Sequence, residues 1–78
     1  MITMAKFRAD RVSVPNGCQP VCFMSRDVLV NFVQQNDVDG GRFSRPSQLN
    51  PYWVCLGVKI YEVARCEGFY AMTVVTST

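Results

Sequence analysis

Two alternating apolar runs on either side of Cys66-Glu67-Gly68 constrain the fold more than any other feature of the chain. Residues 58–64 and 69–75 are dense in β-branched and aromatic side chains, the composition of a pleated, half-buried surface. Cys66-Glu67-Gly68 fits a three-residue turn, with glycine in the left-handed position. Paired across that turn, Ala64 faces Tyr70, Glu62 faces Met72 and Ile60 faces Val74. One face then carries Ala64, Ile60, Val58, Tyr70, Met72 and Val74, interrupted by Glu62. The other carries Arg65, Val63, Tyr61, Lys59, Phe69, Ala71, Thr73 and Val75, and is mixed. A chain with these two strands builds a sheet and needs an element to cover one face of it.

The rest of the chain supplies candidates. Residues 5–14 read as a strand, with Phe7 and Ala9 alternating with Lys6, Arg8 and Asp10. The phase then flips to Val12 and Val14, as at a bulge or in a strand covered on both faces. Pro15-Asn16-Gly17 is a strong turn signal, and residues 21–24 read as a second strand completing a hairpin. A helix is predicted from Ser25 to about Gln35. Ser25 is its N-cap and Asp27 suits its first turn. Met24 and Leu29 form a hydrophobic staple, and Asn36 takes a left-handed C-cap. Val28, Leu29, Phe32 and Val33 place one apolar stripe along it. Residues 37–51 hold two glycines, two prolines and no clean period, so they read as a long loop of the kind that carries function. Residues 52–56 read as a strand, although Asn50-Pro51 would also start a helix. Gly57 and the β-branched and aromatic density favour the strand. The predicted order is β-β-α-loop-β-β. This is an α+β fold in one domain, an antiparallel sheet of about four strands with one helix on one face. At 78 residues, such a domain buries only about 60% of the surface its unfolded chain exposes.

The residue inventory removes whole classes of chemistry. There is no histidine, which excludes imidazole acid–base catalysis, Ser-His and Cys-His nucleophile pairs, and imidazole metal sites. Cys18, Cys22, Cys55 and Cys66 are spaced too unevenly for two close zinc pairs. Buried or idle thiols are the favoured reading, with zinc or a disulfide as the alternatives. Cys66, beside Arg65, is the most reactive-looking of the four. Asp37-x-Asp39-Gly40-Gly41 faintly echoes a calcium loop but lacks its closing glutamate, so a solvated turn is expected. Gly40-Gly41 has no Gly-Lys-Ser/Thr sequel and is not a phosphate loop. Glu62 is the one carboxylate placed for burial, and an edge position or a pairing with Lys6 or Arg8 is the simpler expectation. No catalytic residue, metal or cofactor is assigned. The chain shows no secretory h-region, and its apolar run at 51–58 falls far short of the ~20 residues of a membrane helix. A soluble, cytoplasmic protein is expected.

Binding is therefore the expected mode of action. Net charge is +2, too small to announce a nucleic-acid partner. A single helix cannot cover both faces of the sheet, which leaves Val63, Tyr61, Phe69, Ala71 and Val75 as a candidate contact surface. Arg42 and Arg45 flank Phe43 in the long loop, and Lys6 and Arg8 share a face of the first strand. The candidate binding residues are Arg42, Phe43, Arg45, Tyr61, Phe69, Lys6 and Arg8, with the Arg42-Phe43-Arg45 group expected to serve binding rather than stability. The function expected is that of a small non-catalytic interaction protein that regulates or inhibits a larger protein assembly, with a homodimer among its forms. The alternative is a nucleic-acid-binding regulator using the basic and aromatic loop. In size and strand–helix order the chain is similar to small inhibitors encoded by phages and mobile elements, anti-CRISPR proteins among them. That resemblance implies a protein target.

Overall fold

The computed structural model describes residues 2–37, 42–64 and 67–76. Its elements run α1 (Met4–Val12), β1 (Cys18–Ser25), α2 (Arg26–Asn36), β2 (Phe43–Ser44), β3 (Trp53–Cys55), β4 (Val58–Val63) and β5 (Tyr70–Thr76). The strands form one sheet in the order β2-β3-β4-β1-β5. β1 lies parallel to β4 and antiparallel to β5, and the remaining pairs are antiparallel. The result is an α+β fold with a mostly antiparallel sheet and two helices rather than one.

The first element is a helix, not the predicted strand. Thr3 caps it, its hydroxyl oxygen accepting from the Lys6 amide at 3.2 Å. Lys6 and Asp10 form an i,i+4 pair at 3.0 Å, and Met, Ala, Lys and Arg are all good helix formers. Pro15-Asn16-Gly17 does make a turn, with Gly17 at φ +86°, but it joins a helix to a strand and closes no hairpin. Lys6 and Arg8 accordingly do not share a strand face.

β4 and β5 form as predicted and Gly68 does take a positive φ, +79°. The two strands are not partners, because β1 sits between them. Cys22 pairs with Ile60 on one side and Met72 on the other, and Met24 with Glu62 and Tyr70. The predicted faces survive because alternation within a strand does not depend on its neighbour. Arg65, Cys66 and the Asp39-Gly40-Gly41 segment lie outside the described residues. Residues 51–64 make no helix. β3 and β4 are joined by Leu56-Gly57 with φ of +53° and +76°, the two left-handed positions of a type I′ turn.

The core lies between the sheet and the two helices. Phe7 from α1, Val28, Leu29 and Phe32 from α2, and Cys22, Met24, Cys55, Val58 and Ile60 from the strands are buried together. Phe43 joins them at 7% exposure. Its ring meets Phe32 edge-on at 5.5 Å, and Phe32 meets Phe7 at 5.1 Å. The expectation that Phe43 serves binding in an exposed loop is thus corrected: it holds the β2 edge to the core. Two side chains fasten α1 across the sheet. Arg11 donates to the Leu56 carbonyl at 2.7 Å, and the Tyr70 hydroxyl donates to Asp10 at 2.6 Å.

β1 passes into α2 without a loop. Ser25 is both the last strand residue and the helix N-cap, but its hydroxyl caps no backbone amide. Instead it donates to Asp27 at 2.5 Å and accepts from the Phe69 amide at 3.1 Å. The Ser25 amide donates to the Phe69 carbonyl at 3.0 Å, and the Gly68 amide donates to Asp27 at 3.0 Å. Asn36 is the last helical residue, and Asp37 follows as C-cap at φ −92° rather than in the left-handed region.

Phe43→Ala is expected to cost about 3–5 kcal/mol, the range for an emptied aromatic core position, out of a total of roughly 4–12 kcal/mol for a chain of this length. Urea denaturation checks it, and a change within experimental error would return Phe43 to the surface. Asp27 is held below its usual pKa of 3.8 by the Ser25 hydroxyl and by backbone amides including that of Gly68. A lowered carboxylate contributes fully above its unfolded pKa, and the contribution is lost as pH falls through the lowered value. Asp27→Asn should therefore destabilise the protein near neutrality and flatten the fall of stability on acidification. A denaturation series over pH would show this.

Candidate functional site

The pleat sorts every strand residue onto one of two surfaces. In β1, β4 and β5 the even-numbered side chains up to Val74 turn toward the helices, including the buried Cys22, Met24, Val58 and Ile60. The odd-numbered ones turn away: Val21 and Phe23, Lys59, Tyr61 and Val63, Ala71, Thr73 and Val75. The register carries this surface outward to Val54, opposite Lys59, and Ser44, opposite Val54. Among the described residues no helix covers it.

Its centre is a run of three rings. Phe23 and Tyr61 are direct partners across β1 and β4, stacked at 5.7 Å with their planes 27° apart. Tyr52 meets the other side of Tyr61 at 5.4 Å. The Lys59 ammonium sits 5.0 Å from the Tyr52 ring centre, a cation–π contact. The three rings are half-buried. Rigid aromatic side chains with accessible faces can bind another molecule without losing much rotamer freedom.

Of the predicted binding residues, Tyr61 stands at the middle of this surface. Phe69 is half-buried just before β5, its backbone bonded to Ser25. Lys6 and Arg8 are on α1, in the helix layer on the other side of the sheet, with Lys6 engaged by Asp10. Arg42 is exposed, its backbone amide donating to Asp37 at 3.3 Å. Arg45 lies over Trp53 at 5.7 Å, and Trp53 shares the register row of buried Ile60. Phe43 and Arg45 therefore lie apart from Tyr61, one buried in the core and the other over Trp53. Phe23 and Tyr52 were missed by the sequence reading, although the alternation of Val21 and Phe23 with buried Cys22 and Met24 carries the signal for Phe23.

Tyr70, Asp10 and Lys6 are engaged with one another. The Tyr70 hydroxyl is pushed up by burial and by its bond to Asp10. Asp10 is held down by that same bond and by Lys6. At neutral pH the pair is thus a fixed phenol donor and carboxylate acceptor, with no proton to exchange. Glu62 is exposed rather than buried. No group of three or more potential ligands suited to a metal is found among the described residues, nor a helix long and apolar enough to cross a membrane.

Burial pushes the Cys22 thiol up to about 12, and Cys55 is likewise raised by burial. Both are buried, whereas Cys18 is partly accessible. Because the thiolate is the reactive form, an alkylating reagent at mildly alkaline pH should label Cys18 well before Cys22 or Cys55. Peptide mass mapping of the folded and denatured protein reads this directly. Compared with known proteins, the chain matches no family model, and no curated protein and no solved structure matches it significantly.

Proposed function

We propose that this protein is a small non-catalytic interaction module that docks on a protein partner through the open face of its sheet, with Tyr61 at the centre, and regulates that partner by occupying its surface. The observation that carries the reading is the separation of aromatic and basic residues. Lys59 is the one charged side chain among the described strand residues on the open face. Lys6, Arg8, Arg11 and Arg26 all belong to the helix layer, and Arg45 packs on Trp53. A surface that tracks a phosphate backbone interleaves its cations with its rings. A surface that meets protein concentrates aromatics and is depleted of charge at its core. The face around Tyr61 has the second character.

The narrower comparison, with inhibitors encoded by phages and mobile elements such as anti-CRISPR proteins, was drawn from size and strand–helix order; the leading helix α1 changes the order, and size is what supports that part of the proposal. Free thiols at Cys18, Cys22 and Cys55 fit a reducing compartment such as the cytoplasm, where we place the protein.

The test replaces Tyr61 with a photo-crosslinking amino acid in the full chain, with Arg8 replaced in the same way as a control on the opposite layer. Irradiation in extract of the native cell, with and without nuclease, should give discrete protein adducts from position 61 that survive nuclease and are missing from position 8. With the partner in hand, Tyr61→Ala should weaken binding by roughly thirtyfold, the scale of a central aromatic anchor. Adducts to nucleic acid would transfer the assignment to a nucleic-acid regulator, and equal labelling from both positions would remove the face from consideration.

A further inference from the structure

The two ends of the sheet are built differently. At one end β2 is two residues long and runs into Arg45-Pro46, the short, charged, proline-bearing edge that resists further pairing. At the other end β5 runs for seven residues, YAMTVVT, with no charge, proline or glycine. Among the described residues it pairs with β1 alone. Half of its backbone donors and acceptors therefore face outward. Val74 and Val75 are 41% and 52% exposed, one on each side of the sheet. A long neutral edge with apolar residues on both faces is a template for another strand.

We propose that β5 is the interface of a homodimer, in which a second copy pairs its own β5 antiparallel across a two-fold axis at Thr73. Thr73 is the midpoint of the strand, so this register uses all of it. Ala71 then lies opposite Val75 of the second copy, and Met72 opposite its Val74. Each pairing joins like with like: Met72 and Val74 lie on the helix side, and Ala71, Thr73 and Val75 on the open side. Both surfaces run on without a break into the second copy, and Val74 and Val75 gain cover on their respective sides. The charges permit it. β5 itself has none, and Lys6 and Asp10, which border its helix side together with Ser13, Val14 and Pro15, bring one cation and one anion per copy. A cleft between these residues and β5 leaves room for side chains from the second copy beside Met72 and Val74. Isologous pairing of this kind closes on itself and leaves the two blunt β2 edges at the outside.

The axis residue supplies the test. Thr73 is exposed on the open side, so a charge there is compatible with the monomer fold. At the axis, the two copies of residue 73 have Cβ atoms about 4.5–5.5 Å apart. The purified wild-type chain should sediment at twice the monomer mass as its concentration is raised. Thr73→Lys and Thr73→Glu, with native circular dichroism, should each weaken self-association by up to about fivefold, as like charges meet directly opposite one another. Mixing the two variants should restore dimers, now of one copy each. A wild-type chain that stays monomeric throughout overturns the proposal and leaves the edge to a strand from another protein. So does a Thr73→Lys variant that associates as tightly as wild type, or a mixture that recovers nothing.

Discussion

Phe32 is the contact on which the rest of the molecule depends. It projects from α2 with no exposure and touches Phe7 of α1 on one side and Phe43 of β2 on the other. These rings come from three distant parts of the sequence. Phe7 is the one fully buried residue of α1, and its anchorage is that ring, the partly buried Met4 beside the core and the polar ties of Arg11 and Asp10. β2 is only two residues long, and pairing of that length is not self-sustaining. Each peripheral element therefore borrows stability from α2 through one aromatic side chain.

That dependence explains what could be read from the sequence and what could not. α2 was legible because its cap, acidic first turn and four-residue apolar stripe agree with one another. The strand faces of β4 and β5 were legible because alternation is a local property. Their partner was not: the same two faces result whether β5 lies beside β4 or beyond β1, and only tertiary packing inserts β1 between them. α1 was misread because a helix with one fully buried side chain shows no clear stripe, and Phe7 and Ala9 happen to alternate with charges. Phe43 was misread for a related reason. Its neighbours Arg42 and Ser44 are exposed, and nothing local announces that a loop ring will be seated against Phe32. Of the candidate site, Tyr61 could be found from strand parity, whereas its union with Phe23 and Tyr52 required the register of β1 against β4.

Covering the sheet on one side only has a further effect. Among the described residues both helices and four of the seven cations lie in one layer, while the rings of the other side carry a single ammonium. A protein this small has too little polar surface to cover all of its apolar groups, and the exposed ones fall on both sides, Val12 and Val30 on the helices and Val75 on the open face. What separates the two sides is charge rather than exposed apolar area.

The direct passage from β1 into α2 also limits how this chain can vary over evolutionary time. With Ser25 serving as strand end and helix start together, no residue at the junction is free to absorb a change in length. One inserted residue would turn α2 by about 100° about its axis, carrying Phe32 away from Phe7 and Phe43 alike. In the stretch from Arg45 to Tyr52, between β2 and β3, the side chains are exposed up to Pro51, and an added residue there would displace nothing in the core. Descendants of this sequence should accordingly differ in length between β2 and β3 and hold a fixed count from Cys18 to Asn36.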